Sequence, residues 1–187
     1  MGHIQNMRAH MSADYVSPKP SGLSKPTVEH IAEAVAETLG FRPGGSMEAV
    51  VSRFGGRIVV GTNGDDDFES GSIVARSMSD FTIYISQFTS LARDRFTIAH
   101  ELGHLLLHLD EVQKNAPSAV MRATRWVDEN NQEQERAEWE ANWFAAAFLM
   151  PAKVFSEIYQ KDGPSTAQRI FGVSEKAAEI RAKSIGL

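Results

Sequence analysis

The chain reads RFTIAHELGHLLLH from Arg95 to His108, a stretch that combines helically spaced apolar residues with three histidines and a glutamate. Apolar residues recur within it at helical spacing, at Phe96, Ala99, Leu102, Leu106 and, one residue beyond the stretch, Leu109. That spacing predicts an amphipathic helix, from about residue 91 to residue 109, whose apolar stripe is buried in the core. His100 and His104 border the stripe and lie four residues apart, on one face and one turn apart, so their imidazoles can converge on one metal ion.

Glu101 completes an H-E-x-x-H pattern with the two histidines. It projects about 100° around the helix from His100, where it is badly placed to bind the metal but well placed to take a proton from a water molecule. The chain has no cysteine, so a metal must be held by His, Asp or Glu. The pattern predicts one catalytic zinc ion per chain, with Glu101 as the general base.

A second helix, predicted from about residue 132 to residue 150, offers the third zinc ligand. Glu138 and Asn142 are four residues apart and border its apolar face, so both can reach the first helix. Glu138 is the preferred ligand, and Asn142 can accept a hydrogen bond from the far nitrogen of a ligating histidine. Glu140 projects about 200° from Glu138 and is expected to face solvent, which leaves it as the fallback ligand. His108, rotated about 80° from His100, is assigned to packing or to the rim of the cleft.

Composition is that of a protein with a substantial core. Hydrophobic residues make up 42% of the 187 residues and charged residues 23%. The net charge of −5 argues against a protein that coats nucleic acid. The longest apolar run, Trp143–Met150, is far shorter than the roughly 20 residues that cross a bilayer, and no secretory signal is recognisable. We therefore expect a cytoplasmic protein without a membrane partner.

The element pattern predicts an α+β fold with three parts. Residues 1–24 lack periodicity and are expected to form a flexible N-terminal arm, in which the stretch before Met11 can be an expression leader. Residues 25–151 hold two short helices, a small three-stranded and mostly antiparallel sheet, and the active-site helix pair. The three strands are expected at 57–60, 71–75 and 81–85. Residues 152–187 form short C-terminal helices, expected to pack on the same domain.

Two long motifs resemble the ImmA/IrrE family of metallopeptidases. They are RFTIAHELGH from Arg95 to His104 and EWEANWFAAAFLMP from Glu138 to Pro151, and the ending FGVSEKAAEIR from Phe171 to Arg181 is also similar. The resemblance implies a compact zincin-like domain. The glutamate at Glu138, followed four residues later by a polar residue at Asn142, is also similar to the gluzincin pattern. This similarity supports Glu138 as a metal ligand and Asn142 as its neighbour in the site.

The resemblance implies a zinc endopeptidase that cuts a regulatory protein, typically a DNA-binding repressor. Such proteins are often encoded by phages or mobile elements, or act in stress responses. An extended substrate commonly adds to a strand beside the active helix. The strand that immediately precedes that helix is therefore the expected substrate strand, and it consists of Phe81, Thr82, Ile83, Tyr84 and Ile85. The donor that stabilises the transition state is left open among Tyr84, Tyr159, His30 and Arg95.

Two other functions compete with proteolysis. The segment from Ala167 to Arg181 has the rhythm of a helix-turn-helix, although Glu175 and Glu179 on the second helix argue against direct DNA binding. Alternatively, the scaffold is a zinc-binding or DNA-binding regulatory module without activity, which the presence of Glu101 disfavours. The sequence does not identify the substrate, the activating signal or the oligomeric state.

Overall fold

The computed structural model describes residues 15–61, 72–114, 116–124 and 131–187. Within these ranges the chain forms an α+β fold of seven helices and one five-stranded sheet. The strands are β1 (Tyr15–Val16), β2 (Arg57–Gly61), β3 (Ser72–Ser77), β4 (Asp80–Ser86) and β5 (Val120–Ala123). The helices are α1 (Lys25–Thr38), α2 (Met47–Arg53), α3 (Leu91–Gln113), α4 (Gln132–Leu149), α5 (Ala152–Asp162), α6 (Pro164–Phe171) and α7 (Glu175–Ser184).

The sheet differs from the prediction of three mostly antiparallel strands. Its order is β1-β5-β3-β4-β2, in which β3 is antiparallel to β4 and β5, while β2 is parallel to β4 and β1 is parallel to β5. The prediction missed β1 and β5 because they are only two and four residues long, too short for a period of two to show. It missed the parallel pairing because β4 inserts between β2 and β3, which are consecutive in the chain.

The position of β4 also overturns the predicted substrate strand. Thr82, Ile83 and Tyr84 pair with β3 on one side and with β2 on the other. Strand addition requires an open edge with unpaired backbone groups, which a central strand does not have. The segment Phe81–Ile85 therefore belongs to the core of the sheet and does not receive the substrate.

Helices α3 and α4 lie against each other beside the sheet. α3 packs on β3, β4 and β5, and α4 packs between α3 and α1. Side-chain caps fix where both site helices begin: Ser90 accepts a hydrogen bond from the Arg93 N–H, and Asn131 accepts from the Glu133 and Gln134 N–H groups. These local signals explain why the two site helices begin where the sequence predicts.

The chain ends are tied to this centre. Residues 1–14 of the expected N-terminal arm lie outside the described residues, but 15–24 are not a loose arm: they add β1 to the sheet, and Ser21 binds α4. At the other end, Arg181 of α7 is buried and donates to the carbonyl of Met150 and to the carboxylates of Glu29 and Glu33. Among the described residues, no helix has the length and apolar character needed to cross a bilayer.

Candidate metal centre

The close approach of α3 and α4 builds the site, and Gly103 permits it. A Cβ at Gly103 would lie 3.1 Å from the Cα of Ala141 and 3.2 Å from its carbonyl oxygen. Both are backbone atoms of α4, so any larger residue would push the two helices apart. Gly103 sits between His100 and His104, and Ala141 is one turn beyond Glu138. The contact thus sets the distance between the two histidines and the carboxylate.

Three side chains converge across this helix pair. The Nε2 atoms of His100 and His104 are 3.0 Å apart. Glu138 places Oε2 at 3.2 Å from the first and Oε1 at 3.1 Å from the second. Of the described residues, these three form the group whose chemistry and spacing suit a metal ion. Ligand atoms at zinc distances and tetrahedral angles lie about 3.3 Å apart, close to the separations seen here.

The outer nitrogens of both histidines have acceptors that fix the ring orientation. His100 Nδ1 lies 3.1 Å from Asn142 Oδ1, and an amide oxygen can only accept, so this nitrogen carries the proton. That assignment leaves the Nε2 lone pair of His100 facing Glu138. His104 Nδ1 lies 3.0 Å from Nδ1 of His108, and its Nε2 likewise faces the carboxylate. Three acceptor atoms that face one another without a proton between them form a fitting cradle for a cation.

The surroundings of the cradle shift the pKa of each of its three groups, and for His104 and Glu138 the shift favours the protonation state that binds a metal. Burial lowers the pKa of His104 to about 3, so its imidazole is neutral at physiological pH. Burial opposes ionisation of Glu138, but the adjacent His100 and His104 imidazoles outweigh it and hold the pKa of this carboxyl below its usual value. For His100, burial is again the largest influence and lowers the pKa, but Glu138 and Glu101 together raise it above its usual value. A proton therefore competes with a metal ion at His100 more than at His104.

Glu138 lies beside the two histidines as the sequence predicts, whereas Glu140 does not face solvent. Glu140 is fully buried rather than exposed, and its carboxylate binds His108, Arg136 and Ser21 on the side of α4 away from the cradle. The prediction of a solvent-facing Glu140 was wrong because the N-terminal segment, 119 residues away in sequence, covers that side of the helix. His108 is also fully buried, so it belongs to the packing and not to the rim.

A cleft of about 910 Å³ opens over the cradle. Glu101, His100, His104, Glu138 and Asn142 all line it, so the proposed base and ligands share one space. The cradle is open on this side: the side chains of His100 and Glu138 are 16% and 24% exposed, whereas His104 is 1% exposed.

Helix α7 also lines the cleft, a more specific position than the predicted packing of the C-terminal helices on the same domain. It contributes Ser174 at its cap and then Lys176, Ala177, Ile180, Arg181 and Ser184. The helix considered as a DNA-reading element therefore lines the same cleft as the metal cradle. Its cleft-lining residues recur every three to four positions, which is the one signal in the sequence that could have indicated this face of the helix.

The structure places none of the four candidate donors for the transition state at the cleft. Of Tyr84, Tyr159, His30 and Arg95, none is among the described residues that line the cleft. Arg95 is buried and donates to the carbonyl oxygens of Gly45 and Phe171, at 2.5 and 3.4 Å. It thereby joins the start of α3 to the C-terminal helices.

Comparison with known proteins places this arrangement in a family. The family model of M78 peptidases, described as the IrrE N-terminal-like domain, matches residues 67–183. The radiation response metalloprotease IrrE of Deinococcus radiodurans is 33% identical over 103 residues, which are 54% of this chain and 28% of that protein. The chain thus matches under a third of the length of this curated relative.

A Mycobacterium tuberculosis transcriptional regulator of known structure shares the fold. Its TM-score is 0.56 at 20% identity, and the match covers 84% of this chain and 46% of that one. The family match spans both site helices, including His100, Glu101, His104 and Glu138. The chain belongs to the ImmA/IrrE family of metallopeptidases.

Proposed function

We propose that the chain is a zinc-dependent endopeptidase that hydrolyses a peptide bond in a regulatory protein. The observation that carries the proposal is the cradle of His100, His104 and Glu138 with Glu101 in the same cleft. The similarity to a relative named as a metalloprotease supports the reaction class.

Zinc is the metal that the ligand set fits best. Two imidazole nitrogens and one carboxylate, open to a cleft on one side, are the ligands of catalytic zinc in peptidases of this motif. A zinc ion held there supplies a Lewis acid that polarises the scissile carbonyl and makes water a better nucleophile at neutral pH.

Glu101 performs the proton transfers. It is buried at the cleft wall on the residue after the first ligand, so its carboxylate takes the proton of the attacking water and delivers it to the leaving amine nitrogen. His100, His104 and Glu138 hold their positions throughout, because Asn142, His108 and the helix contact at Gly103 fix them.

The cleft accommodates a stretch of polypeptide between the end of β5 and helix α7. Ala123 and Thr124 line one side, and Lys176 and Ile180 line the other. Ile180 is 57% exposed, an apolar contact available to a substrate side chain. This cleft, rather than strand β4, is where we place the substrate.

The proposed substrate class is supported by the family resemblance. We propose a transcriptional regulator, such as a DNA-binding repressor, cut in the cytoplasm in a stress response or under the control of a phage or mobile element. The relative from Deinococcus radiodurans is named as a radiation response metalloprotease, which supports a role in a stress response. Direct DNA binding through α7 is disfavoured, because Arg181 is buried and Lys176 and Ile180 face the cleft.

The experiment compares the zinc-loaded protein with its Glu101→Gln variant on a peptide library derived from a bacterial proteome. New N-termini are read by mass spectrometry. We expect cleavage by the parent, full zinc content in both proteins, and a loss of about 100-fold or more in the variant, the usual contribution of a general base. Glu111→Gln, on the same helix but paired with exposed Lys114, is the matched control and should cleave like the parent.

Equal cleavage by parent and Glu101→Gln would remove Glu101 from the mechanism, and no cleavage by the zinc-loaded parent would refute the peptidase. The regulator class is tested by adding both proteins to the intact proteome. DNA-binding regulators should be among the proteins cut by the parent alone.

A further inference from the structure

Behind His104, away from the cleft, runs a chain of buried polar groups that the peptidase reaction does not use directly. His104 Nδ1 lies 3.0 Å from His108 Nδ1, and His108 Nε2 lies 3.1 Å from Glu140 Oε2. All three side chains are essentially inaccessible to solvent. Groups with hydrogen-bonding capacity this deeply buried are costly to keep unless they are paired with one another.

The far end of the chain is firmly anchored. Glu140 Oε1 accepts from Arg136 Nε at 2.9 Å and from the Gly22 N–H at 3.1 Å. Its Oε2 accepts from the N–H and the hydroxyl of Ser21, at 2.8 and 2.7 Å. Arg136 in turn donates to the carbonyl of Leu23. The carboxylate is thus held between α4 and the segment Ser21–Leu23, and cannot turn without breaking several bonds.

The charge on Glu140 fixes the direction of the hydrogen bonds. The carboxylate already accepts from two backbone N–H groups, the Ser21 hydroxyl and the Arg136 guanidinium, so it faces His108 as an ionised acceptor. His108 must then carry its proton on Nε2, and in the neutral imidazole this leaves a lone pair on Nδ1. That lone pair accepts from Nδ1–H of His104. The tautomer in which the Nε2 lone pair of His104 faces Glu138 is therefore selected.

We propose that His108 and Glu140 are positioning residues of the metal centre, which set the tautomer and the orientation of His104 from behind. The proposal rests on the metal site of the proposed function. In this proposal the orientation of His104 is fixed by Glu140 through the intervening ring of His108, whereas the orientation of His100 is fixed directly by its hydrogen bond to Asn142. It also gives the segment Ser21–Leu23 a role in the metal site, because this segment holds the carboxylate at the end of the chain. Groups behind a metal ligand typically change metal affinity by about 10- to 100-fold when they are removed.

The experiment measures zinc affinity by competition with a chromogenic chelator, together with the visible absorption of the cobalt-substituted protein. The variants are His108→Phe, which keeps a ring in the cavity but no nitrogen, and Glu140→Gln, which keeps the shape but not the charge. His30→Phe is the matched control, because His30 is exposed and outside the chain of hydrogen bonds. Thermal unfolding of the metal-free proteins reports on folding separately.

We expect zinc affinity to fall about 10- to 100-fold in His108→Phe and less in Glu140→Gln, with no change in His30→Phe. At saturating cobalt, the absorption bands of His108→Phe should shift in wavelength and intensity, which a loss of stability alone does not cause. The double variant should bind zinc about as well as His108→Phe, since both residues act through one chain.

Parent-like affinity and cobalt spectra in a folded His108→Phe would overturn the proposal, as would fully additive effects in the double variant. If His108→Phe does not fold, Glu140→Gln decides by the same two measurements. A parent that binds neither zinc nor cobalt would instead refute the proposed metal centre itself, so the two failures are distinguishable.

Discussion

Replacing Gly103 with alanine tests whether the spacing of α3 and α4 controls the metal centre. The new Cβ would lie 3.1 Å from the Cα of Ala141 and 3.2 Å from the Cβ of Phe144. Carbon atoms in good contact are about 3.5–4.0 Å apart, so α4 must move by about 0.5 Å. Metal–ligand distances are held to within about 0.2 Å. The shift therefore exceeds what the site tolerates, because α4 carries Glu138 with it.

The stability change is the difference of two effects. Alanine gains about 1 kcal/mol over glycine in the interior of a helix. Overpacking a core typically costs about 1–3 kcal/mol, and here the neighbours are backbone atoms that cannot rotate away. We expect a net loss of about 1 kcal/mol, or a fall of about 2–4 °C in melting temperature. Zinc affinity should fall more steeply, by about tenfold or more.

The assay is thermal unfolding of the metal-free protein combined with a chelator competition for zinc. Gly61→Ala is the control, because its Cβ would have only the carbonyl oxygen of Ile85 nearby, at 4.0 Å. It should leave zinc affinity unchanged. A Gly103→Ala protein that melts higher than the parent and binds zinc equally well would refute the reasoning, since the helices would then absorb a methyl group without consequence.

Three further changes have defined outcomes. Arg181→Met should lower the free energy of unfolding by about 2 kcal/mol, measured in urea, because it removes the buried donor to the Met150 carbonyl and to the carboxylates of Glu29 and Glu33. The same change at exposed Lys183 should leave the free energy of unfolding unchanged. Asn142→Asp should strengthen zinc binding in the chelator assay, since a charged acceptor makes a stronger bond to His100 than an amide. Glu140 has a pKa of about 2 when folded, below its usual 4.5, so it contributes stability above pH 4.5 that is lost as the pH falls towards 2. Metal-free Glu140→Gln should therefore show a shallower loss of stability across that interval, by up to about 3 kcal/mol, and an unchanged slope would contradict this assignment.

Local patterns were sufficient to predict the site helices. The predicted ranges 91–109 and 132–150 agree at their first residues with the observed helices Leu91–Gln113 and Gln132–Leu149. They agree because the apolar spacing and the capping side chain at each start are local features of the sequence. Four-residue spacing likewise brings His100 and His104 together, as only the geometry of one helix is involved.

What the sequence did not reveal depends on partners that are distant along the chain. Helical angles place Glu140 on a different side of α4 from Glu138, but they do not show that Ser21 covers Glu140. The sequence of β4 is typical of a strand but does not show whether that strand lies in the centre or at the edge of the sheet. Its central position follows from its insertion between β2 and β3. The pairing of Tyr15–Val16 with β5 is too short to leave a periodic signal.

The most direct test of the account is the zinc content of purified protein after zinc loading and desalting, measured by elemental analysis for the parent, Glu138→Ala and Glu133→Ala. Glu133 lies on the same helix but is exposed at its first turn, so it controls for the loss of a carboxylate. We predict one zinc per chain in the parent and in Glu133→Ala, and almost none in Glu138→Ala. Zinc retained by Glu138→Ala at the parent level, or absent from the parent, would contradict a centre built from His100, His104 and Glu138.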